Sequence, residues 1–172
     1  METFSDDHGN GRPPDIPGCD PVRRLGGGAS GTVWLVQPRD GTVPLAAKCL
    51  LPGPAGSGAG CHNESEITQE WRILAQYDHE HLIRVHDVVP LDGDGGSGWA
   101  LLMDYAAGGS VRDIVAARGP LTPGEVVTIL TPLGEVLSYL HGRGVVHGDV
   151  SPGNVLLTAH GKPLLGTWAA AA

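Results

Sequence analysis

Short runs of β-branched, aromatic and aliphatic residues, closed by glycine, proline or aspartate, carry the chain as far as Tyr105. Leu25 to Val36 reads as strand, glycine loop, strand, and Asp40-Gly41 is a hairpin signal before the strand Leu45-Ala46-Ala47-Lys48-Cys49-Leu50. His81 to Val89 and Trp99 to Tyr105 are further strand regions, separated by a turn over Asp92 to Gly98. Helical spacing appears in three places. Asn63 and Glu66 pair as a cap before Ile67, Trp71, Leu74 and Tyr77 on one face. Arg112 to Ala117 is a short helix stopped by Gly119-Pro120. Thr122-Pro123-Gly124-Glu125 opens a long helix whose buried face is Val126, Ile129, Leu130, Leu133, Leu137 and Leu140. Pro132 inside it is expected to kink the helix or shift its register, at about 3 kcal/mol if unrelieved. Val155-Leu156-Leu157 reads as a last strand. Residues 1–20 are polar and rich in Gly, Pro and Asp, so disorder is expected there, with order beginning near Val22. Leu51 to His62 is a Gly/Pro/Ala/Ser linker.

The apolar share of 41% is enough for a core, and 27 Gly with 14 Pro make the chain loop-rich. Its length of 172 residues suits one domain, or two small lobes sharing a cleft. With 11 Lys+Arg against 19 Asp+Glu the formal charge is −8, which argues against a nucleic-acid binder or a polybasic membrane anchor. No apolar run reaches membrane-spanning length and the N-terminus has no signal-peptide pattern. Cys19, Cys49 and Cys61 lack CxxC spacing, so a reduced, cytoplasmic setting fits. His79, His81 and His86 cluster without a zinc-ligand spacing and read as surface or turn residues.

The candidate chemistry lies in three stretches. Gly26, Gly28, Gly31 and Val33 make G-x-G-x-x-G-x-V, and the following residues favour a strand rather than the helix of a dinucleotide fold. The loop is therefore either a plain glycine-rich hairpin or a backbone cover for phosphates. Lys48 stands in an apolar strand, where an ammonium needs a partner. Glu70 flanks the buried stripe of the first helix and can reach inward, while Glu64 and Glu66 sit in its first turn. His147-Gly148-Asp149-Val150-Ser151-Pro152-Gly153-Asn154 places an imidazole, a carboxylate and a carboxamide in one short loop. That is a set suited to accepting a hydroxyl proton and holding Mg²⁺, or else a polar turn.

Taken in order, the glycine loop, strand lysine, helix glutamate, Gly108-Gly109 hinge, capped helix and His-x-Asp-x-x-x-x-Asn loop resemble the protein kinase family. The likeness is to bacterial Ser/Thr-type kinases and runs from about Val22 to Leu165. It implies an α+β, two-lobe fold: an antiparallel sheet with one helix over 21–105, then the hinge and the first part of a helical lobe over 106–172. It implies ATP and Mg²⁺ as cofactors and a protein hydroxyl as acceptor. Leu25, Val33, Ala46 and Leu156 would sandwich adenine, the main chain of Asp104 and Ala106 would bind its edge, and Met103 would be the gatekeeper. Gly26, Gly28 and Gly31 would cover the phosphates, which Lys48 would hold in an ion pair with Glu70. Ser110 would contact ribose, Asp149 would be the catalytic base and Asn154 a Mg²⁺ ligand. Three positions depart from the family pattern. Gly148 replaces the loop arginine, Ser151 replaces a lysine, and the Asp-Phe-Gly position falls on Thr167-Trp168-Ala169. Thr167 has no carboxylate for Mg²⁺, so little or no phosphoryl transfer is expected from the chain as it stands. Deleting one G from codons for Gly-Asp-Leu-Gly yields Gly-Thr-Trp-Ala, as at Gly166 to Ala169, so a frameshift is one expected origin of this ending and a natural pseudokinase the other. A small-molecule phosphotransferase of the aminoglycoside or choline kinase type is the alternative enzyme, since it too uses a His-Gly-Asp loop.

Overall fold

The computed structural model describes residues 13–28, 31–50, 75–91 and 98–166. The expected helix from Asn63, with Glu70 on it, and Thr167 lie outside these residues. Strands β1 (Cys19–Gly28), β2 (Gly31–Pro38), β3 (Leu45–Leu50), β4 (Val85–Leu91) and β5 (Gly98–Asp104) form one antiparallel sheet in the order β1-β2-β3-β5-β4. The two-residue alternation of a strand sorts its faces. Ala47, Cys49, Ala100 and Leu102 bury outward with Trp34, Val36 and Leu91, whereas Ala46, Leu101 and Met103 bury toward the rest of the molecule. Lys48 shares the parity of Ala46 and pairs with Leu101, so it points to that inner side.

Residues 13–20 correct the expected disordered tail. Ile16 is fully buried and Cys19 nearly so, both in the outer-face core. Gly18, at φ 76°, turns the chain so that the Cys19 N–H donates to the Ile16 carbonyl at 3.1 Å, and Arg39 N–H donates to Gly18 O at 2.9 Å. One isoleucine among polar neighbours gives no periodic signal, yet it packs on the outer face of the sheet. Cys19 and Cys49 are free buried thiols.

The sheet's outer strands are irregular. Register breaks fall between Pro21 and Arg23 and between Arg24 and Gly26 on β1, and between Val85 and Asp87 on β4. Leu25 and His86 are the unpaired residues of two of these bulges, which re-aim their side chains.

Helix α1 (Val111–Arg118) is capped by Ser110 in a reciprocal box with Asp113. Helix α2 (Pro123–His141) is capped by Thr122 and Glu125, as its sequence predicts, and runs uninterrupted through Pro132. Its buried face differs from the expected one: Val136 and Leu140 are fully buried and Leu133 nearly so, while Leu130 is 57% exposed. Leu133, Val136 and Leu140 follow the spacing of a single stripe, and Leu130 lies off it. Strands β6 (Val155–Leu157) and β7 (Pro163–Leu165) close a hairpin. Sequence reading found only the first.

A single core joins the sheet to this helical part. Leu82, Val85 and Leu101 pack with Val111, Leu133, Val136, Leu140, Val155 and Leu165. The backbone joins them too: Ile83 N–H donates to Leu165 O at 2.9 Å and Leu165 N–H to His81 O at 2.7 Å. The architecture is thus the α+β, two-lobe fold. Among the described residues no helix is long and apolar enough to cross a membrane.

Candidate active site

The inner sheet face and the β6–β7 hairpin enclose a second apolar cluster. Ala46 and Met103 from the sheet, with Ile83 and Leu164, form its buried part, and Leu25, Val33, Tyr105, Ala106 and Leu156 pack against it. Every apolar residue expected to hold an aromatic base is therefore in one place, and Leu25 reaches it from its bulge. Ile83 and Leu164 were missed in the sequence, because the first sits outside a strand and the second belongs to the unrecognised β7.

The link between the lobes starts at Asp104, whose N–H donates to Arg84 O at 3.0 Å. The Asp104 carboxylate lies 2.7 Å from His86 Nε2, and Tyr105 Oη accepts from Arg23 at 3.0 Å. The Ala106 N–H has no partner among the described residues, which leaves a donor at the cluster's rim. Gly109 takes φ 75° and accepts from Leu157 N–H at 2.9 Å, while Gly108 N–H donates to Leu157 O at 2.8 Å. A Cβ on Gly108 would meet the carbonyls of Thr158 and Leu157 at 2.5 and 2.8 Å, so the approach requires glycine. The Ser110 hydroxyl is engaged with Asp113, donating to Oδ2 at 2.6 Å and accepting its N–H at 3.1 Å. A ribose contact there would have to share that hydroxyl.

Gly28 and Gly31 end the β1–β2 ladder as partners, and Gly26 pairs with Val33. Gly31 has φ 120°, and any Cβ on it would collide with the Cys49 carbonyl. Gly26 has open space around its Cα. Lys48 is partly buried on the strand next to β2, paired with Val33. Burial pushes its ammonium below the ordinary lysine value, and the negative charge of Asp149 opposes that shift. No carboxylate among the described residues lies within ion-pair distance of it.

Asp149 is held by its loop. His147 is buried to 1% exposure, its Nε2 2.9 Å from Gly166 O and its Nδ1 accepting the Asp149 N–H at 3.3 Å. That pair of partners requires the neutral Nε2–H tautomer, and burial lowers the ring's pKa in the same sense. Gly148 takes φ 74°, a conformation that would strain the arginine usual in the family pattern. Asn154 Nδ2 donates to Asp149 O at 2.8 Å and to Asp149 Oδ2 at 2.7 Å. Both partners are acceptors, which fixes the amide's orientation and turns Oδ1 away, with no donor on it among the described residues. An amide oxygen so presented suits a hard cation such as Mg²⁺. Among the described residues no group of three acidic, His or Cys side chains is placed to hold a metal ion.

The model of the protein kinase domain matches residues 20–168 of this chain. Serine/threonine-protein kinase PknI of Mycobacterium tuberculosis is 37% identical over 140 residues, which are 80% of this chain and 23% of that protein. Serine/threonine-protein kinase PkaB of Streptomyces coelicolor is 36% identical over 137 residues, 80% of this chain and 31% of that protein. The chain thus spans less than a third of the length of these relatives. The crystal structure of the M. tuberculosis PknI kinase domain, a double mutant, superposes with a TM-score of 0.72 at 34% identity, covering 92% of this chain and 62% of that one.

Proposed function

Because this chain belongs to the protein kinase domain family, we propose that it forms the ATP-binding and catalytic-loop part of a serine/threonine protein kinase, which transfers the γ-phosphoryl group of ATP to a protein hydroxyl. The observation that carries this reading is the Asp149–Asn154 pair, fixed by two hydrogen bonds on a loop whose charge reaches Lys48 across the cleft. Adenine would lie among Leu25, Val33, Ala46 and Leu156, with Met103 at the back, its edge on the main chain of Asp104 and Ala106. Gly26, Gly28 and Gly31 would let the backbone approach the phosphates, and Lys48, paired with Glu70, would supply their cation. Asp149 would accept the acceptor hydroxyl's proton as its oxygen attacks phosphorus. Asn154 would orient Asp149 through Nδ2 and present Oδ1 to Mg²⁺, which when bound neutralises phosphate charge. A cytoplasmic setting is part of the proposal.

Thr167 supports a second reading, a nucleotide binder with little or no turnover, because it offers no carboxylate to the metal. The glycine loop and the family favour a protein acceptor over a small amino alcohol. Displacement of a fluorescent ATP analogue tests the binding site: ATP should compete in the presence of Mg²⁺, and absence of competition would reject both readings. Radiolabel transfer to proteins and to amino alcohols then separates them. Asp149→Ala should keep ATP affinity and abolish whatever transfer the chain supports, and retained transfer in that variant would remove Asp149 from its role.

A further inference from the structure

Arg112, in the first turn of α1, lies against the catalytic loop. Its own N–H donates to Pro152 O at 2.9 Å, so helix and loop are joined at that point. Its guanidinium occupies the space beside Gly153: a Cβ built there would meet Arg112 Cζ and Nη2 at 2.6 Å and Nε at 3.1 Å. Only glycine at 153 leaves room for this packing. Gly153 directly precedes Asn154, the residue that holds Asp149. An exposed guanidinium thereby lies beside the loop where, on the kinase reading, an acceptor hydroxyl approaches.

Among the described residues its guanidinium forms no ion pair, although Asp113 lies near enough to feel its charge. The nearby carboxylates are already engaged, Asp113 by Ser110 and Asp149 by Asn154. Several other cations among the described residues are taken up, Arg39 by Asp20, Arg118 by Glu125, Lys162 by Glu80, Arg23 by Tyr105 and Arg143 by Tyr139. In a chain of net charge −8, a guanidinium that forms no ion pair among the described residues and lies beside the proposed site is available to an incoming anion. We propose that Arg112 is a specificity-determining residue that selects acceptor segments carrying a carboxylate or phosphate side chain close to the hydroxyl. The inference rests on the kinase reading and adds the chemical class of its substrate: acidic peptides over basic ones.

The test uses the whole chain and two fluorescent serine peptides, one flanked by glutamates and one by lysines, with binding followed by anisotropy at low salt. The acidic peptide should bind more tightly by up to about fivefold per engaged anion, the upper end for an exposed ion pair. Arg112→Glu should reverse the ranking, an effect that a merely structural arginine would not give. Gly153→Ala, which displaces the guanidinium without removing its charge, should narrow the preference. Equal binding of the two peptides, no binding of either, or a ranking unchanged in Arg112→Glu would each overturn the proposal. Displacement of a fluorescent ATP analogue on the same samples separates it from the kinase reading. ATP binding without peptide preference overturns only the substrate inference, and a preference without ATP binding supports it while rejecting the nucleotide site. If Arg112→Glu weakens ATP and leaves the peptide ranking intact, the guanidinium serves a nucleotide phosphate, and the acidic-substrate inference falls.

Discussion

Lys48 and His147 hold opposite relations to stability. The strand register puts Lys48 on the inner face, where desolvation disfavours its ammonium. Lys48→Met should therefore raise stability by about 1 kcal/mol, seen as a higher Tm, because an apolar chain of similar length no longer buries a charge. It should also weaken ATP binding by about tenfold or more, since a charged donor to phosphate is lost. Unchanged ATP affinity would move the phosphate cation elsewhere. His147 is stabilising as the neutral ring, its Nδ1 serving the Asp149 N–H. Its pKa is lowered in the fold by burial, so the stability it contributes is complete above the unfolded value, about pH 6.5, and is lost as pH falls through the folded value. Urea titrations from about pH 7 to 5 should show stability falling with acid, and His147→Gln should flatten that slope. Parallel slopes for the two proteins would contradict the assignment.

Among the elements, those encoded by local rules were legible and those set by distant neighbours were not. Thr122 and Glu125 announce the start of α2, and the structure has both halves of their box. Hydrogen bonds from Arg118 first, then from Thr122, hold the Glu125 carboxyl at a pKa of about 2, so the box stays ionised to low pH. Thr122→Ala should cost about 1 kcal/mol in urea unfolding, and a change within error would mean that packing alone sets this end. The face of α2 was read less well. Leu130 and Val136 are both apolar, and packing with Leu82 and Leu165 selects the stripe that holds Val136 and leaves Leu130 off it. Ile16 and β7 were missed for the same reason: each is ordered by what it packs on. In the proposed site, the His147–Asn154 loop and the glycine pattern could be picked out because each is a fixed spacing of residue types within one short stretch. Arg112 carried no such signal, since its meaning comes from the absence of a side chain at Gly153.

For the molecule as a whole, the lobes meet through a core with no seam at the hinge. Leu165 is fully buried in that core and bonds through its backbone to His81 and Ile83 of the other lobe. Unfolding should be a single transition, with helical circular dichroism and the fluorescence of Trp34 and Trp99 on the sheet changing together. Leu165→Ala should cost about 2 to 5 kcal/mol of stability and lower both midpoints together. Two separated transitions would establish lobes that fold independently. The irregular register of β1 and β4 bears on a different problem, the behaviour of many copies at once. These are the two rims of the sheet, and each combines a proline, Pro21 or Pro90, with a bulge. A rim that lacks a donor and bends away from its ladder is a poor template for a foreign strand. Newly made chains crowded together are thereby hindered from zipping rim to rim into the cross-β stacks that end in insoluble fibres.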